Sequence, residues 1–435
     1  NLINIRCIKA RQPDTMPTYT DPPAITAVSS SGIDRAPSVD CVVVGGGIHG
    51  TYLSQRLLED TALDRDGLVI IDPNDRLLDS FRRKARACGM ESLRSTYVNH
   101  LGTDPFALKH FAAGNDREDE LQPTVDYPDR PGLELFLDHA DHVIESNSLD
   151  ALHRQTAVTT IHDQPDGGLR VVTDDGVIDT RSCVLAIGHG GRYHLPEWGR
   201  SVGGVEHVWG RFDPATDTTE TVIIGGGITA AQLAATRSEG ESVTLLSRQP
   251  LEWEVTEADP QWLNWCHIER ELHHHPPASK ARFDVVQNAR HRATVPPYLY
   301  DTLDTRRRSG SLQIRQGEVI QATQESDRVQ LTLADDTRLR PDRVVCATGF
   351  ASVFDHPFVE RLASTLDLDR GYRGLPRLDD QTLAWRTVAG DRVPLYVSGA
   401  LALGTVGPYA PNIPGARRSA DRITAAIDSL CERSM

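Results

Sequence analysis

The chain has 435 residues, 39% hydrophobic and 25% charged, enough apolar material for two or three domains with sizeable cores. Its 46 basic and 61 acidic residues leave a net charge of −15, a field that opposes nucleic acid and anionic lipid as partners. Seven cysteines without a CxxC pair, and no apolar run near the ~18 residues of a membrane span, argue against a zinc cluster, a redox dithiol and a transmembrane helix. The expectation is a soluble, cytoplasmic protein in a reducing compartment, with no metal site.

Residues 1–38 are rich in Pro, Thr, Ser and Asp without periodicity and read as a mobile leader. From Asp40 the pattern turns to strand and helix in alternation. In "CVVVGGGIHGTYLSQRL" (41–57) a β-branched run leads into Gly45, Gly47 and Gly50, the G-x-G-x-x-G spacing, and then into a helix. The first glycine allows a tight turn, the second lets backbone approach a phosphate, and the third packs helix against strand. Free N–H groups at the helix start then meet the anion. Asp72 closes "LVIID" about 20 residues on, where a carboxylate can hydrogen-bond ribose hydroxyls; a turn or cap role is the plainer alternative.

"LRVVTDDGVIDTRSCVLAIGHGG" (169–191) predicts a hairpin turning at Asp174–Gly176 and then a buried strand that exits into glycines. The same plan begins again at "TVIIGGGITAAQLA", where Gly225, Gly227 and Ala230 give the G-x-G-x-x-A form. Here the second strand ends in Ser247 and Arg248 rather than an acid. A guanidinium there can grip a 2′-phosphate that a carboxylate would repel, although a solvent-facing arginine would look the same. "VQLTLADDTRLRPDRVVCATGF" (329–350) then repeats the hairpin and buried strand, so an internal duplication of a nucleotide-binding unit accounts for both halves.

The long connection containing Trp253, Trp262 and Trp265 reads either as packing or as a lid over substrate. His273–His275 beside His267 lack the spacing of a metal site and predict a solvated loop. The chain then adds "PLYVSGALALGTVGPYAPNIPGARRSADRITAAI", a strand, a glycine-rich loop containing Gly399, and a terminal helix. The helix start at Asn412, Ile413 and Gly415 could stabilise negative charge on a reduced flavin, with a plain capping loop as the alternative. These elements predict an α/β fold of two Rossmann-like, doubly wound, three-layer dinucleotide-binding domains, the NADP domain inserted into the FAD domain. The expected boundaries are 39–205 for the first part of the FAD domain, 206–345 for the NAD(P)H domain and 346–435 for the completion of the first.

Over about residues 40–430 the chain resembles the two-dinucleotide-domain flavoproteins, and most of all the family around the bacterial lysine and ornithine N-hydroxylases. The resemblance rests on the two glycine loops, "MESLRSTYVNHLGTDPFALKHF" (90–111), "LSRQPL", "ADPQWLN", "NARHRATVPPYLYDTL" and "CATGF". It implies that Gly45, Gly47, Gly50 and Asp72 bind FAD, with Met90, Leu93, Arg94 and Ser95 near the flavin. It also implies that Gly225, Gly227, Ala230, Ser247 and Arg248 bind NADPH, and that Ala347, Thr348 and Gly349 mark the return between domains. "SVGGVEHVWGRF" (201–212) keeps only Gly203 and His207 of the flavin-monooxygenase fingerprint FxGxxxHxxx(F/Y). The implied function is an FAD- and NADPH-dependent monooxygenase that hydroxylates a small amine-like substrate with O2, through a flavin C4a-hydroperoxide and without a protein nucleophile. The alternatives are an NAD(P)H dehydrogenase reducing a quinone, ferredoxin or other carrier, and a catalytically silent FAD/NAD(P)-binding protein. The partners implied are substrate and O2, with neither nucleic acid nor membrane, and with self-association left open.

Overall fold

The computed structural model describes residues 37–291 and 293–432. The expected leader lies, but for its last two residues, outside the described residues.

β1 (Ser38–Val44) and β2 (Leu68–Asp72) are short, almost fully buried apolar runs, the pattern of parallel strands covered on both faces. Between them α1 (Ile48–Asp60) makes the crossover, and α2 (Asp79–Ala87) follows β2. β1 lies parallel to β2 on one side and to the strand Gly176–Leu185 on the other. His153–Gln155 extends the sheet beyond β2, and Arg392–Val397, from the far end of the chain, lies parallel to Gly176–Leu185. The antiparallel strand Ala384–Arg386 closes that edge.

A second sheet is wholly parallel, in the order Leu312–Gln316, Ser242–Ser247, Glu220–Ile224, Arg343–Cys346, Val205–His207. Its strands all come from the segment 205–346, between the two contributions to the first sheet. The chain therefore crosses between the sheets twice. The two crossings are zipped together: His194 N–H donates to Gly349 O at 2.9 Å and Ala351 N–H to Arg192 O at 3.1 Å.

The two hairpins differ more than their sequences suggest. In the first, Leu169–Thr173 pairs with Gly176–Leu185, and that one strand of 10 residues continues into the parallel core. In the second, Arg338–Leu339 and Arg343–Cys346 are separate strands, and Val319–Glu325, Arg328–Leu333 and Arg338–Leu339 form a sheet of their own. Pro341 lies at the break: it has no N–H to give a ladder, and its carbonyl instead accepts from Val329 N–H at 3.0 Å.

The terminal helix Ile413–Glu432 packs along α1. Ala416, Ala420, Ile423 and Ile427 are all buried, at the 3.6-residue spacing of one helical face. The histidine run is only in part a solvated loop: His274 is exposed in a turn and His275 half-buried in a bend. His273 ends a π-helical turn (Glu269–His273), and its Nε2–H donates to Thr405 O at 2.8 Å. No group of three or more metal-ligating side chains occurs among the described residues, and none of their helices is long and apolar enough to cross a membrane.

Candidate functional site

The first glycine loop is held by backbone contacts that exclude side chains. Gly45 sits at φ +110°, and a Cβ there would lie 2.4 Å from Ala186 O. At Gly50 a Cβ would lie 1.7 Å from Gly45 O, so the first turn of α1 rests directly on the loop. Around Gly47, which precedes α1, there is open space. That is the arrangement in which helix N–H groups can face an anion.

Asp72, at the end of β2, does more than the sequence suggests. Its carboxylate accepts from Gly46 N–H at 2.6 Å and from both the backbone N–H and the side-chain amide of Asn74, at 2.9 and 2.6 Å. A carboxylate has roughly four lone-pair positions, so three bonds brace the loop and one remains for a ribose hydroxyl.

This loop opens into a cavity of about 1670 Å³. Its lining includes Gly45, Gly47, His49 and Asn412, together with Asp72, Lys84 and Thr156–Val158. Residues of both crossings between the sheets, His189, Tyr193 and Phe350, also line it, as do Arg290 and Arg373. His49 is buried, with Nδ1 2.8 Å from Ser398 Oγ and no partner at Nε2 among the described residues. Burial pushes its pKa down to about 4, so the ring is neutral at pH 7. Asn412 Oδ1 is a second buried polar atom without a partner, at the start of the terminal helix. Two orphaned polar atoms beside a glycine loop are what a polar cofactor would satisfy.

Lys84 lies above aromatic faces, its ammonium 5.4 Å from the Phe350 ring centre and 5.9 Å from that of Tyr193. Phe350 itself stacks on His189 at 4.1 Å. Burial lowers the Lys84 pKa, Arg83 adds to that, and Asp72 opposes it. With Arg83, Lys84, Arg290 and Arg373 against Asp72 and Asp355, the lining carries more positive than negative groups in an acidic protein. Such a cavity concentrates anions.

Other expected residues lie elsewhere. Met90, Leu93, Arg94 and Ser95 are not in the cavity lining. Leu93 is buried in a hydrophobic cluster with Phe136 and Ile413, against which Met90 packs. Arg94 donates to the carbonyls of Glu254, Val255 and Thr256 at 2.6, 2.9 and 2.7 Å, tying the tryptophan-bearing connection to the segment after α2. Gly399 (φ +86°) adjoins His49, and Gly415 is packed against Tyr409 O and Ala410 O, where a Cβ would come within 2.4 Å of either.

The second loop repeats the turn with looser packing. Gly225 N–H donates to Leu246 O at 3.0 Å, and a Cβ on Gly225 would lie 2.7 Å from Ala347 O. Gly227 precedes the helix Ile228–Arg237, in which Ala230 is buried. Ser247 is buried beside Gly226, while Arg248 is exposed. Of the return residues, Thr348 lines the large cavity and its hydroxyl donates to His194 O. His207, kept from the monooxygenase fingerprint, is buried and stacked on Tyr193 at 4.9 Å.

A family model described as FAD-NAD(P)-binding matches residues 42–190. No curated protein matches the chain by sequence. Among solved structures it is similar to an ornithine hydroxylase from Pseudomonas aeruginosa, at 19% identity and a TM-score of 0.69 over 90% of this chain and 99% of that one. A flavin-containing monooxygenase from Stenotrophomonas maltophilia follows at 20% identity and a TM-score of 0.60, over 91% and 99%. A bacillithiol disulfide reductase from Staphylococcus aureus gives 15% and 0.58, over 90% and 99%. The chain has the fold of these oxidoreductases. That fold serves both oxygen transfer and disulfide reduction among the neighbours, so the chemistry has to be read from the site.

Proposed function

We propose that the protein is an FAD-dependent, NADPH-consuming monooxygenase acting on a small amine or similar soft nucleophile. The observation that carries this reading is the large cavity, which joins the first glycine loop, Asp72 and the start of the terminal helix to the crossings that lead to the second loop. Its volume exceeds the ~300–1,000 Å³ of an ordinary ligand pocket, leaving room for a dinucleotide and a second molecule.

The residues present fit FAD. The N–H groups at the start of α1 would take the pyrophosphate, the remaining lone pair of Asp72 a ribose hydroxyl, and His49 and Asn412 polar atoms near the terminal helix. When bound, the flavin supplies hydride acceptance and oxygen activation. Within the protein, neutral His49 adds no positive charge where the helix start at Ile413 already favours an anion. Tyr193 and Phe350 give the cavity an aromatic wall.

Thiol chemistry is poorly supported. Burial pushes the Cys88 and Cys346 thiols up to about 12 and Cys183 well above the usual range, opposite to what a reactive thiolate needs.

The test is turnover with NADPH under ¹⁸O₂ in the presence of L-ornithine, L-lysine or putrescine. Amine-stimulated NADPH oxidation with label in the product supports the reading. Oxidation indifferent to every amine, but accelerated by a quinone, would replace it with a carrier reductase.

A further inference from the structure

Part of the large cavity's lining plays no role in the fit to FAD. Phe283, Gln287 and Arg290 recur at i, i+4 and i+7 along the helix Lys280–Ala289 and its C-cap, so they share the face that lines the cavity. Arg282 anchors this helix. It is fully buried and uses all five N–H donors, two on the Asp380 carboxylate at 2.6 and 2.7 Å and one each on the carbonyls of His275, Gly404 and His273 at 3.0, 3.2 and 3.4 Å. Arg373 joins the same lining from the turn Tyr372–Gly374. That turn is tied to the start of the helix, where Tyr372 N–H donates to Ala278 O at 2.8 Å. It also packs on Phe354, a further residue of the lining: a Cβ on Gly374 would lie 3.3 Å from that of Phe354.

Two features set Arg373 apart. Its guanidinium carbon lies 5.2 Å from the centre of the Phe283 ring and 5.6 Å from that of Tyr372, yet it has no hydrogen bond or ion pair among the described residues. Its backbone is left-handed, φ +52° and ψ +32°, a conformation that is costly for a residue with a Cβ and that persists where function uses it. A carboxylate offers such a guanidinium two hydrogen bonds that a ring face cannot. Arg290 brings a second positive charge to the lining, near enough to His189 to oppose its protonation. Of the acids in the lining, Asp72 braces the first loop and Asp355 is exposed. We propose that this wall receives the substrate, a soft nucleophile with a ring-sized apolar body and a carboxylate, the body held by Phe283 and Phe354 and the carboxylate by Arg373 with Arg290. The inference rests on the oxygenation reading given above and narrows its substrate class. A small diamine without apolar body or acid would meet neither demand of the wall.

The test is calorimetric binding of 4-(aminomethyl)benzoate and of benzylamine to the protein as purified; the two share ring and amine and differ in the carboxylate. Wild type should bind the acid about tenfold more tightly. Arg373→Gln should weaken the acid about tenfold and leave benzylamine within about twofold, which also shows the variant to be folded. Arg373→Lys should fall between, and Phe283→Ala should weaken both compounds alike. Arg373→Gly relieves the backbone, so it should lose the preference while melting no lower than wild type, whereas a merely structural arginine would lower the melting temperature. The proposal fails if neither compound binds, if wild type does not prefer the acid, or if Arg373→Gln keeps the preference. It fails equally if Arg373→Gln slows bleaching of the flavin by NADPH without changing the affinity for either compound, which would give the wall to the coenzyme. Failure of the enzymatic reading would look different: the binding preference would stand, with neither compound raising NADPH oxidation.

Discussion

The two glycine loops use one backbone plan and differ at two places. In the first, Gly50 lets α1 sit so close that a methyl would fall 1.7 Å from Gly45 O. In the second, Ala230 occupies that place, and its own Cβ would lie 3.1 Å from a Cβ on Gly225. The second difference is chemical. The first loop is stapled to a carboxylate through Gly46 N–H and Asp72, whereas Gly226 faces the uncharged side chain of Ser247. The third glycine position thus sets how tightly helix and loop close, and the residue that meets the middle glycine differs in charge between the two loops.

The largest effect that separates the two halves should come from pH. Burial pushes His49, His100 and His189 down to about 4 and His139 to about 3, all around the first unit, whereas His207 is the one such histidine in the second sheet among the described residues. These groups bind fewer protons folded than unfolded, so their contribution is complete above pH 6.5 and lost as pH falls towards 4. By pH 5 the loss should be on the order of several kcal/mol, read as a lower urea midpoint and released flavin. A midpoint unchanged between pH 7.5 and 5 would contradict the burial of these rings.

Gly50→Ala comes next. The backbone must move, so flavin binding should be lost and stability reduced by about 3 kcal/mol. Retained flavin absorbance in the purified variant would show that the first loop is no tighter than the second. Asp72→Ala removes three hydrogen bonds to a charged acceptor, and the flavin dissociation constant should rise at least about tenfold. Should Asp72→Asn bind flavin as wild type does, the charge is irrelevant and only the turn matters. The smallest effect is expected from Ala230→Gly, about 1 kcal/mol of helix propensity with little change in coenzyme binding, measured by thermal melting.

Much of this architecture is legible in the sequence because glycine loops and apolar strand runs are local signals. Gly45, Gly47 and Gly50 carry their turn wherever the chain places it, and "CVVV" and "TVII" declare buried strands. Side chains that meet only in three dimensions are harder to read. His49 gains its meaning from Ser398 across the sheet, and Arg373 meets Phe283 from a turn far along the chain. Lys84 left a faint trace, as one of four lysines in a chain of 46 basic residues. Arg94 shows how little a motif says about contacts. A residue in a diagnostic segment is engaged with three backbone carbonyls and does not line the cavity. The Pro341 break is visible in the sequence, yet only sheet pairing shows that it divides one hairpin from its core strand.

The most direct test of the central claim is the visible spectrum of the purified protein, followed by anaerobic addition of NADPH. The account predicts a bound flavin whose absorbance bleaches on NADPH addition, faster than with equal NADH. A protein without flavin, or one whose flavin stays oxidised in excess NADPH, would contradict it.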